Sequence, residues 1–262
     1  MALTQDTIER LAAHLENAEL EIHDVTKITD EYPDMDWKDA YDIQYAIRRR
    51  KLARGQKLSG LKMGLTSRAK MKQMGVETPI FGFLMDYFAQ PDGAAIKTSE
   101  LIHPKIEAEI AFVTKAPLSG PGCHIGDVLA ATDFVLPAVE VLDSRYRDFK
   151  FDLKSVVADN GSSARYVAGG RSRQVDELDL KNLGVVIEKN GRVVATAAGS
   201  AVLGHPAASV AMLANMLGER GEHIPAGTFI MTGGMTEAIA VQAGDHIVAR
   251  YQDLGQVSMT FA

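Results

Sequence analysis

A single cysteine, Cys123, stands in this 262-residue chain. No disulfide can form within it, and zinc held by several thiolates is excluded. The seven histidines show no metal-ligand spacing, so His103, His124, His205 and His223 read as structural or surface residues. No run approaches the ~20 apolar residues that a bilayer-crossing helix needs. The first residues, Met1 to Asp6, lack a signal-peptide pattern. A cytoplasmic protein with no membrane partner is expected. Positive charge is scarce too: 28 Lys and Arg against 34 Asp and Glu give a formal net charge of -6. The one basic cluster, Arg48-Arg49-Arg50-Lys51, sits on a predicted helix and reads as a solvated face, so nucleic acid is not an expected partner. The Gly-x-Ser-x-Gly elbow of α/β-hydrolases is missing. So are Gly-x-Gly-x-x-Gly and the Lys-Ser/Thr phosphate loop. No internal repeat, heptad run or low-complexity tract is present.

What remains is an ordinary globular composition, 46% hydrophobic and 24% charged, long enough for one large domain or two modest ones. The first third reads as helical. Ile8, Leu11 and Leu15 recur at helical spacing after Thr4 or Asp6 as cap. A second helix is expected from after Asp36 to Arg54, with Ala40, Ile43 and Ile47 inward and Gly55 as its stop. The glycine-flanked stretch 60–66 reads as a strand. Further on, strand-like runs alternate with Gly, Pro, Asn and Asp, at 106–114, 133–142, 183–189, 192–198, 228–232, 246–251 and 256–261. Asn190-Gly191 between two apolar runs predicts a hairpin. One helix, about 206–217, interrupts. Strands not regularly spaced by helices argue against a doubly wound parallel sheet. The expected class is α+β, with an α-rich N-terminal domain over 1–75 and a β domain over 76–262.

Two glutamates carry the sharpest chemical signal. In Ile106-Glu107-Ala108-Glu109-Ile110-Ala111-Phe112-Val113 they stand one residue apart in a strand-like run. Side chains at i and i+2 of a strand share a face. Two like charges on one face oppose each other's ionisation. A divalent cation between them removes the repulsion. A third carboxylate, Glu140, interrupts the apolar run 135–142, where a lone charge needs a partner. Three carboxylates without His or Cys suit a hard ion such as Mg²⁺ or Mn²⁺. The alternative stays open at this point: Glu107 and Glu109 on the wet face of an edge strand, and Glu140 paired with a Lys or Arg.

Three further places could carry chemistry. Lys62 lies between Leu61 and Met63, facing either solvent or a pocket, where it would donate hydrogen bonds or carry a proton. The stretch Ala158-Asp159-Asn160-Gly161-Ser162-Ser163 is a turn, or a set of hydroxyls and N–H groups for a carboxylate. Thr232-Gly233-Gly234-Met235-Thr236 has the same character, and its glycines allow close approach of backbone to a ligand.

Taken together, four motifs resemble the hydratase/decarboxylase branch of the fumarylacetoacetase superfamily. They are Gly60-Leu61-Lys62-Met63-Gly64-Leu65-Thr66-Ser67, His103-Pro104-Lys105-Ile106-Glu107-Ala108-Glu109, Val139-Glu140-Val141-Leu142-Asp143-Ser144-Arg145 and Ala158-Asp159-Asn160. Order and spacing match over nearly the whole chain. Within the branch the decarboxylases are nearer. Gly75-Val76-Glu77-Thr78-Pro79-Ile80-Phe81-Gly82 looks like theirs, whereas in the hydratases aspartate usually follows this proline. Gly221-Glu222-His223-Ile224-Pro225-Ala226-Gly227 agrees as well.

The resemblance implies a small helical N-terminal domain followed by a fumarylacetoacetase-like mixed β-sandwich or roll. It implies Glu107, Glu109 and Glu140 as Mg²⁺ or Mn²⁺ ligands, Lys62 as a catalytic residue reaching the substrate, and Ser162 and Thr232 in pocket-lining segments. The implied reaction is decarboxylation of the dicarboxylate 2-oxo-3-hexenedioate (4-oxalocrotonate) to 2-hydroxypenta-2,4-dienoate in catechol meta-cleavage. The implied assembly is an oligomer in complex with the hydratase that follows. Two rivals are the hydratase activity itself and a non-catalytic partner subunit of that hydratase. Retention of all three carboxylates argues against the latter, since a scaffold has no need of them.

Overall fold

The computed structural model describes residues 2–67, 71 and 78–262. Helix α1 (Gln5–Glu21) starts where the Thr4 hydroxyl accepts the Thr7 N–H and ends at a left-handed Ile22. A short α2 (Ile28–Glu31) leads to α3 (Trp37–Ala53), which opens on a reciprocal cap between Asp36 and Asp39. Ile8, Leu11 and Leu15 of α1, and Ala40, Ile43 and Ile47 of α3, turn inward as their spacing requires. The basic cluster of α3 departs from expectation. Lys51 is buried, with Nζ 2.6 Å from both Glu19 Oε2 and the Tyr87 hydroxyl. Arg50 meets the buried Glu16 at 2.6 Å. Two acids on α1 draw these cations inward.

The rest is mainly β. Strands β1 (Leu58–Gly64), β2 (Ile80–Met85), β3 (Ala89–Gln90), β4 (Ala94–Ile96) and β5 (Pro104–Thr114) precede α4 (Ile125–Ala131). Then come β6 (Thr132–Asp143), α5 (Leu153–Ala158), β7 (Ser163–Ala168), β8 (Gly184–Lys189) and β9 (Arg192–Ala198). Helix α6 (Pro206–Gly218) is followed by β10 (Phe229–Met231), β11 (Ile239–Ala240), β12 (His246–Tyr251) and β13 (Gly255–Phe261). Among the described residues one sheet runs β2-β1-β10-β5-β6-β7-β3, with β11 pairing β5. The other runs β4-β13-β12-β8-β9. The fold is the α+β arrangement expected.

Most expected elements lie within two residues of their places. The hairpin β8–β9 turns at Asn190 and Gly191, both with positive φ (55° and 74°), and β9 forms the edge of its sheet. Among the elements not foreseen are β2, α4, α5 and β7. β2 is buried along its whole length and shows no alternation to read. The other three span only six or seven residues each. The expected division at 75/76, and the stretch Gly75 to Glu77, fall outside the described residues. β1, from before that point, is hydrogen-bonded between β2 and β10 from after it.

The long pair β5–β6 is the backbone of the site. Its antiparallel register sets Glu107 opposite Glu140 and Glu109 opposite Ala138. Asp143, at the end of β6, accepts the N–H groups of Ile102 and His103 and so anchors the entry to β5. Beyond it, the buried Arg145 ties the chain back. Its guanidinium binds the Asp159 carboxylate and the carbonyls of Asp143 (2.6 Å), Asp159 (2.6 Å) and Ser163 (3.2 Å). Burial raises the Asp159 carboxyl to about 6 even against the pull of Arg145.

Candidate metal centre

Glu107, Glu109 and Glu140 converge: one carboxylate oxygen from each lies within 4.8 Å of the others. Glu107 is half-buried and the other two are fully buried. Like charges directly across a sheet destabilise it, so the arrangement needs compensation. Part of it comes from Lys62 on β1, whose Nζ lies 2.7 Å from Glu140 Oε1 and 2.8 Å from Oε2. The Ser163 hydroxyl donates to Glu140 at 3.0 Å. Glu109 receives less. One of its oxygens accepts the Gly233 N–H at 2.7 Å, and the other, Oε1, is buried with no hydrogen-bond partner among the described residues. Burial, then the charge of Glu140, pushes the Glu109 carboxyl well above the usual carboxylate range, with Lys62 pulling the other way. Burial raises Glu140 too, against the same lysine.

These residues fit a hard divalent cation. Three carboxylate oxygens meet, no sulfur or imidazole joins the cluster among the described residues, and a buried carboxylate oxygen is left over. The opposite wall makes room. A Cβ on Gly234 would stand 2.3 Å from Glu107 Oε2, so only glycine lets the 233–234 backbone approach the carboxylates.

The cluster opens on a cavity of about 230 Å³. Its lining includes the polar or charged Lys62, Thr66, Glu107 and Ser162 with Gly234, and the apolar Ile80, Leu142, Phe149, Phe151 and Val156. Leu142 stands opposite Lys105, one pleat repeat beyond the Glu107–Glu140 pair. The Lys105 ammonium lies 3.8 Å from the centre of the Phe149 ring. The structure thus brings together the three glutamates, Lys62 and Ser162. Thr232 stands apart. It is fully buried, its hydroxyl donates to the Ile110 carbonyl at 2.8 Å, and it is not among the described cavity-lining residues. The glycines that follow it face the site instead.

Sequence reasoning missed Thr66. Its hydroxyl is buried at the cavity wall without a partner among the described residues, against Gly233. Thr66 lies inside a recognised motif, but nothing local distinguishes a lining hydroxyl from a packed one. The apolar wall was missed as well, because Phe149, Phe151 and Val156 come from a loop and a short helix outside the strands.

Residues 63–262 match the family described as Fumarylacetoacetate (FAA) hydrolase C-terminal. A 4-oxalocrotonate decarboxylase of Pseudomonas sp. (strain CF600) is 69% identical over 259 residues, 99% of this chain and 98% of its own. A 2-hydroxyhexa-2,4-dienoate hydratase of Comamonas testosteroni is 40% identical over 236 residues, 89% of each chain. The solved structure of 4-oxalocrotonate decarboxylase from Pseudomonas putida G7, complexed with magnesium and adipate, superposes with a TM-score of 0.98 at 65% identity, covering 99% of each chain.

Proposed function

Because the chain belongs to the fumarylacetoacetate (FAA) hydrolase family, we propose that it decarboxylates 2-oxo-3-hexenedioate to 2-hydroxypenta-2,4-dienoate and CO2 with a divalent cation. The observation that carries this reading is the three-carboxylate cluster beside Lys62 in a cavity lined in part by apolar side chains. Identity of 69% to a decarboxylase, against 40% to a hydratase, supports the choice between the two reactions.

Glu107, Glu109 and Glu140 hold Mg²⁺ or Mn²⁺, which supplies Lewis acidity toward the substrate's C1 carboxylate and C2 oxygen. The substrate is a vinylogous β-keto acid. When its C5–C6 bond breaks, the electron pair moves through C4 and C3 onto the C2 oxygen. Lys62 keeps a positive charge beside that oxygen and delivers the proton that completes the dienol. Ser162 and Thr66 offer hydroxyls to the C1 carboxylate. The apolar lining residues exclude water from the distal carboxylate and favour its departure as neutral CO2. Thr232 acts from behind, fixing the start of the 233–234 backbone.

The dienol product ketonises in water, so rapid hand-over protects it. We extend the reading to an oligomer that binds the hydratase consuming the product, in the cytoplasm. Exposed Leu20, Ile22, Trp37 and Leu52 in the helical layer are candidates for the covered surface, and co-elution of the two purified proteins tests it. No helix among the described residues is long and apolar enough to cross a membrane. The reaction itself is tested by supplying each substrate to the Mg²⁺-loaded protein. CO2 release from 2-oxo-3-hexenedioate is expected. Loss of diene absorbance from 2-hydroxypenta-2,4-dienoate without CO2 release from the dioate would assign the hydratase reaction instead.

A further inference from the structure

Lys62 has a second partner besides Glu140: its Nζ donates to the Gly161 carbonyl at 3.1 Å. That carbonyl sits in an unusual turn. Asn160, Gly161 and Ser162 all have left-handed backbone, with φ of 52°, 62° and 57°. Two of the three carry side chains, and a left-handed L-residue costs roughly 1–2 kcal/mol. Such a turn persists only where its surroundings over-determine it.

Two devices do so. Arg145 grips both ends, at Asp159 and Ser163. Asn160 grips the middle. Its Oδ1 accepts the Phe83 N–H at 3.0 Å and its Nδ2 donates to the Phe83 carbonyl at 2.9 Å, both bonds buried. β2 is the last strand of its sheet among the described residues, so the side-chain amide pairs with its outer edge as a neighbouring strand would. Gly82, opposite Lys62 in the β1–β2 ladder, makes the crossing possible. A Cβ there would stand 2.8 Å from Asn160 Oδ1 and 3.3 Å from Lys62 Cγ.

We infer that Asn160 is a positioning residue for Lys62. By locking the left-handed turn onto β2, it fixes the Gly161 carbonyl that aims the ammonium at the cavity. Glu140 alone cannot hold the lysine so firmly, because its oxygens are shared with the cation site. The inference rests on the catalytic assignment of Lys62 made above.

A double-mutant cycle tests it on the full-length, Mg²⁺-loaded protein, with Asn160→Gly, Lys62→Met and the pair. Glycine accepts φ of 52° without strain, so this substitution removes the amide and leaves the turn allowed. We expect Asn160→Gly to lower kcat for CO2 release about tenfold, the scale of one weakened transition-state contact. KM and the Mg²⁺ Kd from calorimetry should stay within about twofold. In the Lys62→Met background the same substitution should cost less than about twofold, because the group it positions is gone. An equal loss in both backgrounds overturns the positioning role and makes Asn160 a structural residue only. So does a rise in KM with kcat unchanged. If Lys62→Met itself keeps wild-type kcat, the assignment of Lys62 falls, and the positioning role with it. Should Asn160→Gly not fold, Asn160→Ser, which also loses the Phe83 pairing, carries the same cycle.

Discussion

Glu109 has one oxygen on a backbone N–H and the other without a donor among the described residues, in a site where burial and a second carboxylate both oppose its charge. A residue placed so is costly to the metal-free fold and useful to the loaded one. Glu109→Gln keeps an acceptor for Gly233 and removes the charge. Its metal-free melting temperature should therefore rise, while Mg²⁺ affinity falls by more than the roughly 10- to 100-fold lost when a mere supporting bond to a ligand is cut. An unchanged Mg²⁺ Kd by calorimetry would take Glu109 out of the ligand set. Lys62 works in the opposite sense. Lys62→Met should lower kcat by roughly 10²- to 10³-fold, the usual scale for removing one donor to a developing oxyanion. Mg²⁺ affinity should be unchanged or slightly higher, since a nearby cation is gone. Wild-type kcat in this variant would leave the cation alone to stabilise the dienolate. The three glutamates were legible as charges in apolar runs. Their donors were not: Gly233 lies 124 residues from Glu109 and Lys62 78 from Glu140, and no local pattern encodes such pairings. Thr232 shows the limit of assigning a segment. The segment reaches the site through its glycines, whereas the threonine hydroxyl is taken by Ile110.

At the level of elements, what was readable is what is decided locally. Asn190 and Gly191 both adopt positive φ, which two-residue hairpin loops demand, so the dipeptide dictates its own turn. Gly191→Val puts a β-branched residue at φ of 74° and should cost about 1–2 kcal/mol. Asn190 and Gly191 are not among the described cavity-lining residues, so a lower denaturation midpoint with unchanged kcat is expected. A variant as stable as the parent would mean that the turn adapts. β2 and β7 escaped notice for the complementary reason. Each is defined by its neighbours: β2 by β1 and the Asn160 amide, β7 by β6 and β3. The left-handed turn at 160–162 was readable only as a turn, because its sense depends on Arg145 and Phe83.

For the whole molecule, a cation held by the carboxylate cluster would couple folding to its binding. A ligand at 100 times its Kd stabilises the state that binds it by about 2.7 kcal/mol. For a chain of this size each kcal/mol moves the melting temperature by about 2–4 °C. Calorimetric scans in saturating Mg²⁺ and in excess EDTA should therefore differ by about 5–10 °C. Coincident transitions would show that the carboxylates hold no ion.

The two sheets meet at Tyr251. From β12 its hydroxyl reaches into the other sheet, accepting the Glu109 N–H at 3.2 Å and donating to the Ala138 carbonyl at 2.5 Å. These two groups face each other across β5 and β6. The amide of Glu109 is thus shielded by a side chain from the second sheet. Its hydrogen exchange should track separation of the sheets, and Tyr251→Phe should speed it while leaving the amides of neighbouring β5 residues slow. One backbone proton, on a residue of the carboxylate cluster, becomes a clock for the docking of the molecule's two halves.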